Sequence, residues 1–468
     1  MKVAPWKILH LQLREGIPML PFDSDYQGLY VVVWWDSIPL GYREIPATQL
    51  PMPATQLQNL VLQSITPAVG DRLFEQGFNA PLPVVSQSPP LTPPLEALLA
   101  CNSPLLHLCE RWNARSATQT PVSVVVCTRN RPEQLAHCLQ SLQQLTICPQ
   151  EILVVDNAPS SDATRQCVAQ IPGIRYVLEP RPGLSVARNT GIRSTTGNII
   201  AFTDDDAMVD PNWITGLQQG FQDSQVMAVT GLVLPAELET EVQLLFEKGW
   251  HSFGQGYRCR TFGPQFFAQM KPRGVPVWRI GAGVNMAFRR QAFDQVGSFD
   301  ERLGAGAAGC SEDSELWYRL LAQGWVCRYE PAAVVYHYHR RDLESLNQQA
   351  YQYMRGHVAA LLIQFAKYKH WGNLRRLCMA LPRHYAKLFL QGSQDFAQQY
   401  RTLGAELSGC LAGIKFYLDC RLTSLHRPAA ELTTANPSGR IQHHPESKSS
   451  SPSCARNSWR LKPRSPNF

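Results

Sequence analysis

Three consecutive carboxylates, Asp204, Asp205 and Asp206, follow the apolar run Ile199-Ile200-Ala201-Phe202 and a threonine. Adjacent acids repel one another unless positive charge lies among them. A divalent cation with oxygen ligands meets that need and shares its open positions with phosphate oxygens. Taken alone, the run also fits a solvated acidic turn. Glu312 and Asp313 follow Ser311, which can cap the helix they open. Acids there are stabilised by the helix dipole, but one that faces a pocket can also act as general base toward a hydroxyl. His337 and His339 stand two apart at a strand end and share a side only if the strand is regular. Imidazole beside Asp206 would suit Mn²⁺; ordinary hydrogen bonding is the other account. Arg181 and Arg188 border a loop at Gly183, where guanidinium groups can grip a diphosphate bidentately. Gly304-x-Gly306-x-x-Gly309 matches the dinucleotide fingerprint as a string. It follows a charged turn and precedes acids that pyrophosphate would avoid, so a flexible loop beside an active site accounts for it better.

These residues need a frame. Val122–Val126 reads as a strand, and Pro132 opens a helix burying Leu135, Cys138, Leu139 and Leu142. Strands at Ile152–Val155 and Ile174–Leu178 alternate with helices near Ser161–Ala169 and Gly183–Arg193, and the strand entering the acids comes fourth. The alternation predicts an α/β fold, a doubly wound, mostly parallel sheet with right-handed crossovers. Its carboxyl edge would gather Thr128, Asp156 and Asp204 to Asp206, where ligands of such sheets bind. Gly281–Phe288 and Val334–His339 read as further strands, and Leu316, Trp317, Leu320 and Leu321 as the buried face of the helix after Ser311.

Residues 1–115 differ in composition: strands at Leu29–Trp35 and after Ile38, then Pro89-Pro90 and Pro93-Pro94 marking a linker. They form a small β-containing accessory module. The sheet domain covers 120–340, a helical region 341–425 and a disordered basic tail 426–468. Phe365, Lys367, Tyr368, Lys369, Trp371, Arg375 and Arg376 make a face suited to peripheral membrane contact, or equally a helical cap with a solvated basic side. Of the net charge of +7, the segment from Arg427 supplies +5, with seven Lys and Arg against Glu431 and Glu446. The folded part is close to neutral, which argues against nucleic acid as a partner. Thirteen cysteines without paired spacing fit a reducing compartment. No apolar h-region follows Lys2 and Lys7, and no run approaches the ~20 apolar residues of a spanning helix. The expectation is a cytoplasmic protein, soluble or peripheral at the inner face of the membrane.

Seven strings in order carry a resemblance. They are Val124 to Arg131, Val154 to Asn157, Gly183 to Gly191, Phe202 to Asp206, Gly283 to Phe288, Gly297 to Glu301 and Ser311 to Asp313. Over roughly Pro121 to Arg340 the chain resembles family 2 glycosyltransferases. The resemblance implies a GT-A fold and inverting transfer of a hexosyl or related sugar from a nucleotide-diphospho-sugar, with Mg²⁺ or Mn²⁺ at the diphosphate. It implies Thr128 and Asp156 at the nucleoside, and Arg188 near the diphosphate with Arg131 and Asp205 beside it. It further implies Asp204 and Asp206 as the Asp-x-Asp signature at the metal, Asp206 the likelier direct ligand, and Asp313 as catalytic base; with His337, from the strand-end reading, Asp204 and Asp206 make the candidate metal set. Glu312 would orient the acceptor or a neighbouring side chain. Glu315 stands where many relatives have Asp. A Gln-x-x-Arg-Trp string is absent, which favours a single transfer over polymerisation; the acceptor is a glycan or a lipid-linked molecule. The competing readings are a catalytically silent nucleotide-sugar-binding or scaffold protein and, more distantly, a nucleotidyltransferase. The latter would want a glycine in Thr128 to Arg131.

Overall fold

A computed structural model describes residues 5–75, 105–106, 112, 120–248, 253, 255–391 and 394–425. Four strands form the predicted parallel core: β4 (Val122–Thr128), β5 (Glu151–Asn157), β6 (Ile174–Glu179) and β7 (Ile199–Asp204). Between them run α2 (Pro132–Leu142), α3 (Ala163–Ala169) and α4 (Leu184–Ser194). The period of two assigns each face of the sheet a core. Val124 and Val126 pack with Leu135 and Leu139 of α2, while Val125 and Cys127 pack with Ala187 and Ile192 of α4. All four predicted apolar residues of α2 are buried.

The sheet continues through β8 (Ala207–Val209), β9 (Val226–Pro235), β10 (Arg260–Phe262), β11 (Met286–Arg289) and β12 (Val326–His337). The strand order is β10-β12-β9-β11-β7-β4-β5-β6, with β8 on β12. β12 runs parallel to β9, whereas β11 is antiparallel to both β7 and β9. The sheet is therefore mostly parallel, as expected. α5 (Trp213–Gly220) covers β12, and α9 (Glu312–Ala322) buries Leu316, Trp317, Leu320 and Leu321 on the opposite face.

The strand expected over Gly281–Phe288 begins only at Met286. The preceding residues form a loop in which the Asn285 side chain ties distant elements together. Its amide donates to Leu232 O and Ala333 O at 2.9 and 2.8 Å and accepts from Trp213 Nε1 at 2.9 Å. Ser311 precedes α9 in a left-handed conformation, φ 70°, and its side chain makes no capping bond. The capping expectation is corrected accordingly.

The N-terminal strand module is present. β1 (Trp6–Gln12), β2 (Gly28–Trp35) and β3 (Ile38–Pro46) form their own sheet, with α1 (Ala54–Glu75) packed on β3. Its apolar core takes in Leu232, Leu234, Ala332 and Val334 of β9 and β12. A buried ion pair, Arg72 to Glu330 at 2.7 Å, joins α1 to β12. The C-terminal helices are α10 (Leu343–Tyr368), α11 (Trp371–Arg375), α12 (Leu381–Gln391) and α13 (Gln394–Leu425). A π-helical turn at Arg376–Ala380 links α11 to α12. None of the described helices is long and apolar enough to cross a membrane. The Pro89–Pro94 linker and the tail 426–468 lie outside the described residues.

Candidate active site

The parallel strands end level with one another, Thr128 opposite Asp156 and Cys127 opposite Asp204. Residues distant in sequence therefore meet at one edge, and a cavity of about 1220 Å³ opens there. Thr128, Arg131, Arg188, all three acids of the 204–206 run, Glu312, Asp313 and His337 line it.

The acids have separate environments. Asp205 is buried, accepting from Thr128 Oγ1 at 2.7 Å and Arg131 Nη1 at 3.1 Å. Burial first, then the neighbouring Asp206, pushes its carboxyl up to about 6. Asp206 meets Arg131 Nη1 at 3.2 Å, His337 Nε2 at 3.3 Å and Arg340 Nη1 at 3.6 Å. Burial works to raise the Asp206 carboxyl, but its contacts with His337, Arg340 and Arg131 outweigh it and hold it well below the usual range. Asp204, whose side chain is 32% exposed, turns to Arg188 Nη2 at 3.2 Å.

Among the described residues no three His, Cys, Asp or Glu side chains are arranged to hold a metal ion. The expected trio of Asp204, Asp206 and His337 is thus not assembled. The reason is electrostatic: buried Arg188 draws Asp204 away and leaves Asp206 and His337 as the pair.

Arg188 lies beneath the floor, its side chain 2% exposed, bonded to Glu312 through one nitrogen and to Asp204 through the other. Glu312 thus has Arg188 as its ion-pair partner. Asp313 receives Ser314 N–H at 2.6 Å. Burial, then the charge of Glu312, pushes its carboxyl up to about 7 against the pull of Arg188. Gly283 makes room for it: a Cβ there would stand 3.1 Å from Asp313 Oδ2. Glu315 lies one turn further along α9, buried, and bonds Arg319 at 2.7 Å; Arg319 in turn holds the carbonyls of Val296, Gly297 and Ser298.

Asp156 sits at the β5 end with Oδ2 accepting from Tyr176 at 2.9 Å and Oδ1 buried without a partner among the described residues. Burial raises its carboxyl. Arg181 does not reach the cavity wall. It pairs with Glu179 and Glu301, and the expectation that it grips a diphosphate beside Arg188 is corrected. His339 bonds Glu247 at 3.1 Å and His337 Nδ1 at 3.2 Å, backing His337. The glycine loop 304–309 is pinned, with Ala305 O accepting from Leu184 N at 2.9 Å.

The sequence reading missed part of the wall. Arg340 stands one residue past His339 and was within reach of the strand-end argument. Trp278, His357 and Arg376 also line the cavity. They come from a turn and from helices with no shared pattern, and nothing in their spacing announces them.

Strand ends bearing acids on a mixed, mostly parallel sheet, facing a cavity with a raised carboxyl opposite, make the candidate active site of an α/β protein. Residues 123–297 match the model of the family described as "Glycosyl transferase family 2". The chain is similar to the pre-mycofactocin glycosyltransferase of Mycobacterium tuberculosis, 28% identical over 223 residues, 47% of this chain and 43% of that protein. It is similar also to the succinoglycan biosynthesis protein ExoM of Rhizobium meliloti, 27% identical over 231 residues, 46% of this chain and 66% of that protein. A third relative is the glucosyl-dolichyl phosphate glucuronosyltransferase of Haloferax volcanii, 28% identical, covering 39% of this chain and 57% of that protein. The chain thus spans less than two thirds of the length of each. Among solved structures it is similar to the mannosyltransferase PcManGT from Pyrobaculum calidifontis in complex with GDP-Man and Mn²⁺. That match has 18% identity and a TM-score of 0.42, covering 71% of this chain and 97% of that one.

Proposed function

We propose that this protein is an inverting glycosyltransferase that moves a sugar from a nucleotide-diphospho-sugar to an acceptor hydroxyl. The observation that carries the reading is Asp313: a carboxylate on a rigid helix, facing the cavity, with its carboxyl pushed up to about 7. A base whose pKa lies near the working pH is efficient at taking a proton from a hydroxyl. In this reading Asp313 accepts the acceptor's proton as its oxygen attacks the anomeric carbon and the bond to the diphosphate breaks. Arg188 holds Asp204 and Glu312 in place beneath the reacting groups, and Arg131 and Arg340 face the charge that gathers on the leaving diphosphate. Thr128, on the cavity wall, and Asp156, buried behind it at the end of β5, serve the nucleoside side in this reading.

The donor set fits a divalent cation. Asp206 Oδ1 and His337 Nε2 stand 3.3 Å apart, close to the roughly 3 Å between adjacent ligands of an octahedral ion with bonds of about 2.1 Å. Mg²⁺ or Mn²⁺ held by these two residues would neutralise the leaving group as charge builds on it.

The test is hydrolysis and transfer from UDP-, GDP- and dTDP-sugars with Mn²⁺ or Mg²⁺. One donor should release nucleoside diphosphate in a metal-dependent way, and Asp313→Asn should lower kcat by about 10²–10⁴-fold. Donor binding that persists with turnover equal in wild type and variant would sink the base assignment and favour a silent nucleotide-sugar-binding protein.

A further inference from the structure

The cavity extends beyond the donor machinery into a lobe whose wall is built by the C-terminal helices. Arg131, Arg188 and Arg340, which line the donor side, each pair with a carboxylate. Arg376 lines the same cavity and does not. Its guanidinium lies over the Trp278 ring, 3.9 Å from the centroid, and its Nε donates to His357 Nε2 at 3.1 Å. Among the described residues neither Nη group has a hydrogen-bond partner and no carboxylate stands within ion-pair distance. His357 cannot supply negative charge: burial, then Arg376 itself, pushes its imidazole down to about 3, so it is neutral. Burial also pulls the Arg376 guanidinium down to about 10.

A half-buried cation without a counter-charge loses hydration for no return unless something else supplies the anion. The backbone beneath it is unusual as well. Arg376 opens the π-helical turn Arg376–Ala380, and such turns are rare and recur at functional sites. Gly274 leaves room for the side chain, since a Cβ there would come within 3.0 Å of Arg376 Cβ. A planar guanidinium braced on an indole, with its outer edge open, is shaped to meet two oxygens of one anion.

We propose that Arg376, braced by Trp278 and His357, is an anion-recognition subsite for the acceptor, which therefore carries a phosphate or carboxylate group besides its reacting hydroxyl. The proposal rests on the transfer reading only for which substrate is meant; the anion site itself is independent of catalysis. It also assigns Arg376 to the cavity, in place of the membrane-facing surface that the basic and aromatic residues of 365–376 suggested.

The experiment is equilibrium binding by calorimetry to the full chain, with glucose 6-phosphate, glucuronate and glucose as probes. UDP and GDP with Mn²⁺ report on the donor side. At least one anionic sugar should bind tenfold or more tighter than glucose, the scale of a charge-assisted pair of hydrogen bonds. The phosphate or carboxylate probe with the larger ratio names the group. Arg376→Gln should collapse that ratio to within about twofold, Arg376→Lys should keep part of it, and neither should move nucleotide affinity. Trp278→Leu, which leaves the charge and removes its brace, should weaken the anionic probe alone. Equal binding of all three sugars to wild type would overturn the proposal. So would a loss of UDP or GDP affinity in Arg376→Gln, which would assign the residue to the donor. Anion preference in a protein that never turns over a donor would leave the subsite standing and fail the transfer reading instead.

Discussion

At the scale of single residues the cavity is a chain of opposed charges, and its members predict one another. Asp313 should be the titrating base, so kcat/KM should fall below an apparent pKa near 7, read from a pH–rate profile of the free enzyme. The sign for stability runs the other way. Its folded-state pKa lies above the roughly 3.9 of an unfolded Asp, so the folded chain binds that proton more tightly. The contribution is full below about pH 4 and is lost as pH rises through 7. Arg188 tempers this shift while holding Glu312, which is 5% exposed. Arg188→Met should leave a buried carboxylate unpaired and cost roughly 3–5 kcal/mol in denaturant unfolding. The acid limb of the same variant should move above that of wild type. The acid run 204–206 and the pair 312–313 were legible because carboxylates after an apolar run are conspicuous. Their partners were less so: a sequence does not tell that Asp204 turns to Arg188 while Asp206 turns to His337.

At the scale of elements, the strands and α2 were readable because period two and period 3.6 stand out wherever one face is buried. Gly281–Asn285 was misread because its backbone turns, Asn285 N–H donating to Ala282 O, while the Asn285 side chain bonds to β9 and β12, and no periodicity registers such long-range contacts. The C-terminal helices held the largest surprise, since their contact with the cavity depends on tertiary packing. α10 touches the loop before Asp313 at Gly356, where an added Cβ would lie 2.5 Å from Cys310 O. Gly356→Ala should therefore push Cys310 and Ser311, cost about 1–3 kcal/mol and lower kcat with little change in donor KM. Thermal unfolding and steady-state kinetics on one preparation would check both halves. The same contact explains why Ser311 sits in a left-handed conformation rather than a capping one: the chain must turn away from α10 before α9 begins.

For the whole molecule, β12 is the shared member. Ala332 and Val334 face the core of the N-terminal sheet, Ala333 and Val335 face the α5 side of the large sheet, and His337 closes the strand at the cavity. Arg72→Met should leave Glu330 buried with Arg328, at 3.7 Å, as its remaining ion-pair partner among the described residues, costing up to about 3–5 kcal/mol by urea denaturation. That loss should appear as one transition in which the N-terminal sheet and the large sheet melt together. A strand with three allegiances also bears on ancestry. The stretch that matches the family ends at residue 297, yet the strand that unites module and cavity lies after it. The N-terminal sheet and β12 share one core, so they should have to be exchanged together. Chimeras spliced at residue 120 should inherit a strand with no matching partner.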